Sequence, residues 1–224
     1  MSITFDDLNK DEQVRAYITA GNNALRILGF TEHSFPHLYH TAITAATLLK
    51  DLGYSDKAAE HAKIAGLMHD IGNMVNRNSH ALIGAEIART VLERHGMGYD
   101  DIGVICSAIG NHDEEIGYPV NNVAAALILA DKSDVRRSRV QETDLDKILS
   151  DIHDRVNYAV KNSEISAKRF DGGATVQLKL EIDTSFCPVM DYFEIFLSRM
   201  LMCRRAASYL NAEFTLIIND LKIM

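Results

Sequence analysis

Apolar side chains recur at helical spacing along most of the chain, and this pattern predicts a mainly α-helical protein. The clearest stripe runs through Ile83, Ile87 and Val91 and is typical of a helix that buries one face. Gly29 and Gly53 each follow a stripe, at the position where glycine often ends a helix. We therefore predict seven helices, at about 11–28, 34–52, 55–72, 78 or 79 onward, 100–110, 123–139 and 145–159.

The spacing changes near the C-terminus. Apolar and polar residues alternate from Val176 to Ile182, which predicts a half-buried strand. A long helix from Pro188 to about Leu210 and a second strand at 214–218 follow. We therefore expect a helical domain at residues 1–165 and a β–α–β subdomain at 170–224. Because two strands alone are only marginally stable, we expect this tail to pack on the helical body or at an oligomer interface, such as that of a homodimer.

Composition and charge narrow the class of protein. With 47% hydrophobic and 24% charged residues, the chain is typical of a globular protein. It has no signal peptide pattern and no apolar stretch of roughly 18 residues, so we expect no membrane association. Three widely spaced cysteines, Cys106, Cys187 and Cys203, suit reduced thiols and a cytoplasmic location. The net charge of −8 argues against general nucleic-acid binding but allows a small anionic substrate.

Histidine and aspartate residues are the best candidates for chemistry. The dipeptide His-Asp occurs at His69-Asp70, His112-Asp113 and His153-Asp154, and only the first ends an apolar helix. The last lies on an amphipathic helix, where a solvated face is the simpler interpretation. Asp131 follows the apolar run 124–130, so it should be buried and should need a cation. Imidazole and carboxylate together suit a divalent Mn, Fe, Co, Ni or Zn ion.

The order and spacing of these residues resemble the HD superfamily. That family carries a histidine on one helix, a His-Asp pair about thirty residues later and a distant aspartate on another helix. The matching segments are His37-Leu38-Tyr39-His40-Thr41-Ala42, Leu67-Met68-His69-Asp70-Ile71-Gly72 and Leu129-Ala130-Asp131-Lys132. The resemblance covers about Glu32 to Arg139 and implies a helical-bundle, metal-dependent phosphohydrolase whose ligands are His37, His69, Asp70 and Asp131.

Two further histidines match family members that hold two metal ions. His80 begins a His-x-x-x-Gly-Ala pattern, and His112 follows the next helix. The resemblance therefore implies two ions, bridged by Asp70, and a metal-activated water that attacks a nucleotide-like phosphate ester or anhydride.

Basic residues near these positions are candidates for binding the substrate phosphate. By resemblance, Lys132 after the last aspartate would contact a phosphate. On a continuous helix, Arg136 would lie one turn further along, and Arg137 beside it. Arg77, between the His-Asp pair and His80, is a further candidate for binding the substrate phosphate, and together these residues would form an anion-binding rim.

Other activities remain open at this stage. Gly117-Tyr118-Pro119 suggests the cyclic-di-GMP phosphodiesterase branch of the superfamily, but His112-Asp113-Glu114 replaces the His-His-Glu of that branch. Some HD proteins with the same six ligands hold two irons and activate oxygen. A non-catalytic ligand-sensing module is a third alternative, although such modules usually lack one or more ligands.

Overall fold

Nine helices form the first part of the chain in the computed structural model, which describes residues 3–224. They are α1 (Phe5–Lys10), α2 (Glu12–Ile27), α3 (Phe35–Asp51), α4 (Asp56–Met68), α5 (His80–Arg94), α6 (Tyr99–Gly110), α7 (Asn122–Ser133), α8 (Leu145–Ser150) and α9 (Ile152–Ala159). Short 3-10 turns occur at Ile71–Met74 and Arg137–Arg139. Across residues 3–224, no helix combines the length and the apolar character that a bilayer span requires.

Helix α7 lies at the centre of the core. Residues 123–130 are all buried, and the helix contacts α3, α4, α6 and a long C-terminal helix, α10 (Val189–Tyr209). A helix that is apolar on all sides has to be surrounded by other elements. Helix α7 therefore carries the polar residues at its end, Asp131 and Lys132, into the interior of the protein.

Helices α3 and α4 approach each other closely because Gly66 lies at their contact. A Cβ atom at this position would be 2.5 Å from the Cα atom of Ala42, so a larger residue would force the helices apart. The close approach brings the first turn of α3 beside the last turn of α4, and these two turns carry His37 and His69.

The C-terminal part of the chain forms a four-stranded sheet in the order β1 (Val160–Phe170), β2 (Gly173–Ile182), β3 (Glu213–Ile218) and β4 (Leu221–Lys222). The β1–β2 and β3–β4 pairs are antiparallel, whereas β2 and β3 are parallel and α10 connects them. A parallel pair requires such a crossover. Because α10 contacts α7, the sheet and the helical core form one continuous packing unit.

The predicted fold class, a helical bundle followed by a small α/β subdomain, is confirmed. The sheet has two more strands than the sequence predicts. Strand β1 escapes prediction because it lies at the sheet edge and its outward residues are polar, so only Ile165 and Ala167 give a weak alternation. Strand β4 has two residues, too few for any periodic signal.

Two segments that were each predicted as one helix are not continuous helices in the structure. The prediction that one helix spans 123–139 is wrong, because α7 ends at Ser133 and Asp134 has a non-helical ψ of 73°. The predicted helix at 145–159 is two helices, because Asp151 has an extended ψ of 124° and caps α9 by accepting from the His153 and Asp154 amides.

Candidate metal centre

The six predicted ligands lie close together, although they come from five separate segments of the chain. His37 lies in the first turn of α3, His69 follows the end of α4, and Asp70 comes next in the chain. The remaining three are His80 at the start of α5, Asp131 near the end of α7, and His112 just after α6. Five of these side chains are almost fully buried, and Asp131 is 12% exposed.

One half of the centre combines two imidazoles with two carboxylates. The Nε2 atoms of His37 and His69 are 3.3 Å apart. The Asp131 Oδ1 atom lies 3.3 Å from the first and 3.5 Å from the second. The Asp70 Oδ2 atom lies 3.1 Å from His69 Nε2 and 3.6 Å from His37 Nε2. These four side chains therefore point their nitrogen and oxygen atoms at a common position. We call this group of side chains the first half of the centre.

The second half uses the other oxygen of Asp70. The Asp70 Oδ1 atom lies 3.4 Å from His80 Nε2 and 3.9 Å from His112 Nε2. These two Nε2 atoms are 3.2 Å apart. The Asp70 carboxylate therefore stands between the halves, with one oxygen facing each of them.

All four imidazoles are oriented in the same way. The Nδ1 atom of His37 bonds to Asp134 Oδ2 at 2.7 Å, and that of His69 to the Gly66 carbonyl at 2.9 Å. The Nδ1 atoms of His80 and His112 likewise bond to the carbonyls of residues 77 and 109. These oxygens only accept hydrogen bonds, so each Nδ1 donates a proton and each Nε2 presents a lone pair to the centre when the ring is neutral.

The Asp70 carboxylate is also held in place. Asn73 lies one turn later and donates from Nδ2 to Asp70 Oδ1 at 2.9 Å. Gly72 lets this turn pack against the start of α5, because a Cβ atom there would be 2.1 Å from the His80 carbonyl oxygen. The spacing of the HD motif thus brings Asp70 and His80 together.

The electrostatics of the two halves differ. Burial and Arg139 lower the pKa of His37, but hydrogen bonds to Asp131, Asp134 and Asp70 outweigh them and raise it to about 9. Burial also opposes protonation of His69, yet the Asp70 and Asp131 carboxylates raise its pKa to about 10. In the second half, burial lowers the pKa of His80, and burial together with repulsion from His69 lowers that of His112 to about 3.

This donor set fits divalent metal ions. Imidazole nitrogens and carboxylate oxygens converge at distances that suit a shared cation, and triads of them lie within 4.8 Å of one another. Imidazole nitrogen and carboxylate oxygen are ligands of first-row transition metals, and Nδ1–H groups bound to oxygen acceptors are typical of metal-binding histidines. The six residues form one centre with two adjacent ligand groups.

A cavity of about 270 Å³ opens onto the centre. It is lined by the predicted ligands Asp70, His80, His112 and Asp131, and by the cations Arg77, Lys132, Arg139 and Arg199. Lys132 is buried and its Nζ atom lies 2.8 Å from Asp131 Oδ2. Two of the predicted phosphate-binding residues, Lys132 and Arg77, therefore do face the cavity.

The structure does not bring Arg136 and Arg137 to this cavity. Because α7 ends at Ser133, Arg136 does not continue the face of Lys132 and instead forms an ion pair with Asp134. Arg137 donates to the Tyr158 carbonyl and stacks on the Tyr158 ring. The expectation that both extend an anion-binding rim is thus not supported by their positions.

Several residues at the centre have no clear signal in the sequence. Asp134, which bonds to His37 Nδ1, lies outside the segments that match the HD motif. His33 lines the cavity, and its Nδ1 atom bonds to the Thr31 carbonyl at 2.6 Å. His153 and Asp154, expected on a solvated helix face, also line the cavity, and His153 is exposed. Arg199 comes from α10 and could not be linked to the HD motif by spacing.

Comparison with known proteins identifies the family. A model of the HD domain matches residues 35–158. Ribonuclease Y of Opitutus terrae is 32% identical over 105 residues, which cover 46% of this chain and 18% of that protein. Ribonuclease Y of Lawsonia intracellularis is 32% identical over 117 residues, which cover 48% and 20%.

The chain thus spans about a fifth of the length of these relatives. The family match is broader, since it covers more than half of the chain and includes all six residues of the centre. The chain belongs to the HD superfamily of metal-dependent phosphohydrolases.

Proposed function

We propose that the protein uses two divalent transition metal ions to hydrolyse a phosphoester or phosphoanhydride bond of a small nucleotide-like substrate. The observation that carries this proposal is the Asp70 carboxylate, which directs one oxygen to His37 and His69 and the other to His80 and His112. Divalent ions bound there supply the Lewis acidity that lowers the pKa of a water and offsets charge on the phosphoryl oxygens.

The chain itself positions the ligands and the substrate. His37, His69 and Asp131 would hold one ion, His80 and His112 the other, and Asp70 would contact both. Lys132 stays protonated, because Asp131 and Glu114 outweigh the effect of burial and raise its pKa. Its ammonium group faces the cavity and would bind a phosphate oxygen as a point charge.

Two features favour a nucleotide-like substrate. The cavity holds several cations near the ligands, and its volume of about 270 Å³ suits a small molecule. Phe30 lines the same cavity, is 41% exposed and lies under the Arg77 guanidinium. Aromatic rings of this kind stack on nucleobases, and arginine binds phosphate.

RNA is a second candidate substrate because the curated relatives are named ribonuclease Y. A phosphodiester of RNA requires the same metal chemistry as a nucleotide phosphate. The net charge of −8 argues against a long RNA footprint, so we favour a mononucleotide or a chain end.

The test combines metal analysis with a substrate screen. Protein purified without a histidine tag should contain about two equivalents of Fe, Mn, Co, Ni or Zn. The metal-loaded protein should hydrolyse p-nitrophenyl phosphate, nucleoside phosphates or a short oligoribonucleotide, and the Asp70→Asn variant should not. Metal-loaded protein that hydrolyses none of these phosphate compounds would refute the proposal.

The same preparation separates the alternatives. A di-iron oxygenase would contain iron and consume oxygen when a substrate is added, whereas a sensing module would bind a nucleotide without turnover. The cyclic-dinucleotide alternative has little support, since none of Gly117, Tyr118 and Pro119 lines the cavity and Tyr118 is 58% exposed.

The homodimer and the cytoplasmic location stay predictions. Strand β1 is an edge strand, so its outer edge is the place where the tail of a second chain would pair. Size-exclusion chromatography with light scattering tests the dimer directly.

A further inference from the structure

The C-terminal subdomain contributes a side chain to the cavity of the metal centre. Arg199 lies on α10, outside the family match at residues 35–158, and it lines the cavity together with Phe196 from the same helix. Helix α10 reaches this position because it packs against α7, which carries Asp131 and Lys132.

Contacts on two sides fix the Arg199 guanidinium. Its Nε atom donates to Glu114 Oε1 at 3.0 Å, and its Cζ atom lies 4.7 Å from the centre of the Phe196 ring. Within residues 3–224, its Nη1 and Nη2 groups donate no hydrogen bond. The side chain is 28% exposed, so these groups are open to a ligand in the cavity.

Two other cations along the cavity, Arg139 and Lys132, are more fully engaged. Arg139 donates from Nε, Nη1 and Nη2 to backbone carbonyls of Glu32 and Asp134. The Lys132 Nζ atom lies 2.7 Å from Glu114 and 2.8 Å from Asp131. Arg199 has Glu114 as its single carboxylate partner within the described residues, and it shares that partner with Lys132.

The contacts also connect Arg199 to the metal ligands. Glu114 joins Arg199 to Lys132, and Lys132 pairs with Asp131 Oδ2, while Asp131 Oδ1 faces His37 and His69. An anion held by the free edge of the guanidinium would therefore lie in the same cavity as the ligand atoms. Arginine suits such an anion because two of its N–H groups can bind two phosphate oxygens at once.

We propose that Arg199 binds the phosphoryl group of the substrate, so that the C-terminal subdomain completes the substrate site of the helical domain. This inference rests on the proposed function, because it assumes a phosphorylated substrate. Arg199 would thus have the phosphate-binding role that the sequence analysis predicted for Arg136 and Arg137.

The test is isothermal titration of metal-loaded protein with inorganic phosphate. Arg199→Met should weaken phosphate binding about tenfold or more, since it removes charge-assisted hydrogen bonds. Arg199→Lys should lose less, because it keeps the charge but not the planar pair of donors. Arg204→Met is the matched control: Arg204 is exposed on the same helix, does not line the cavity, and should leave phosphate binding within about twofold.

Metal content and melting temperature are measured for every variant, since a purely structural role would change these and not the phosphate affinity at full metal loading. If Arg199→Met binds phosphate as the unaltered protein does, the role of Arg199 is refuted and the proposed function stands. If the unaltered, metal-loaded protein binds no phosphate, the proposed function itself fails. Should Arg199→Met not fold, Arg199→Lys decides: phosphate affinity equal to that of the unaltered protein overturns the inference.

Discussion

The two halves of the candidate metal centre contain similar side chains but differ in the charge around their histidines. In the first half, His37 and His69 face carboxylate oxygens from both Asp70 and Asp131, and their pKa values are raised. In the second half, His80 and His112 share a single oxygen of Asp70, and their pKa values are lowered. The first half therefore attracts a cation strongly by itself, whereas the second half depends on Asp70 and on neutral imidazoles.

The largest effect is expected where the two halves meet. Asp70→Asn keeps an oxygen that can accept from Asn73 but removes the charge shared by both halves. We expect bound metal to fall from about two equivalents to well below one, and hydrolysis to be lost. Elemental analysis and a phosphatase assay measure both. Asp100→Asn, at an exposed carboxylate that does not line the cavity, is the control and should retain both ions and hydrolysis.

Removing one predicted ligand from each half in turn should show whether the two halves differ in metal affinity. His112→Ala should lower bound metal from about two equivalents to about one, because the first half keeps all four of its ligands. Asp131→Ala should cost more, since it removes a carboxylate from the half that we expect to bind more tightly. Elemental analysis after dialysis at equal free metal compares them. Equal losses in the two variants would show that the halves do not differ in affinity.

A smaller effect is expected from the residue that orients one ligand. Asp134→Asn weakens the hydrogen bond to His37 Nδ1, which is 2.7 Å long and buried. Losing such an outer partner typically costs about 10- to 100-fold in metal affinity. Competition with a chelator should show this loss for the first half alone. Asn73→Ala is the matched variant for the Asp70 oxygen that faces the second half, and it should weaken the second ion more than the first.

The sequence predicted which six residues come together better than it predicted their surroundings. His37, His69, Asp70, His80 and His112 match the motif and lie near helix ends that the apolar pattern predicts. Asp131 matches the motif directly after the apolar run 124–130, although the predicted end of its helix was wrong. The positions of Arg136 and Arg137 could not be predicted in the same way, because they depend on where α7 ends. Asp134 leaves the helix to bind His37 and Arg136, and this contact spans 97 residues for His37. The position of Arg199 depends on how α10 packs against α7, which local periodicity does not encode.

The smallest expected effect is on the pH dependence of the stability of the metal-free protein. In the metal-free protein, His37 and His69 have pKa values of about 9 and 10, above the ordinary 6.5, so both are protonated at pH 8. Their folded state binds more protons than the unfolded state, so their contribution to stability is fully present below about pH 6.5 and is lost as pH rises through 9 to 10. The melting temperature of metal-free protein should therefore fall across this range.

Metal binding should release these same protons. At pH 8, loading the first half displaces protons from His37 and His69, up to about two in total, because both Nε2 atoms must become ligands. The second half should release none, since His80 and His112 have lowered pKa values and are already neutral. Titration in buffers of different ionisation enthalpy counts the protons. The His112→Ala variant should release as many as the unaltered protein; if it releases fewer, the protons belong to both halves and the difference in charge between them is wrong.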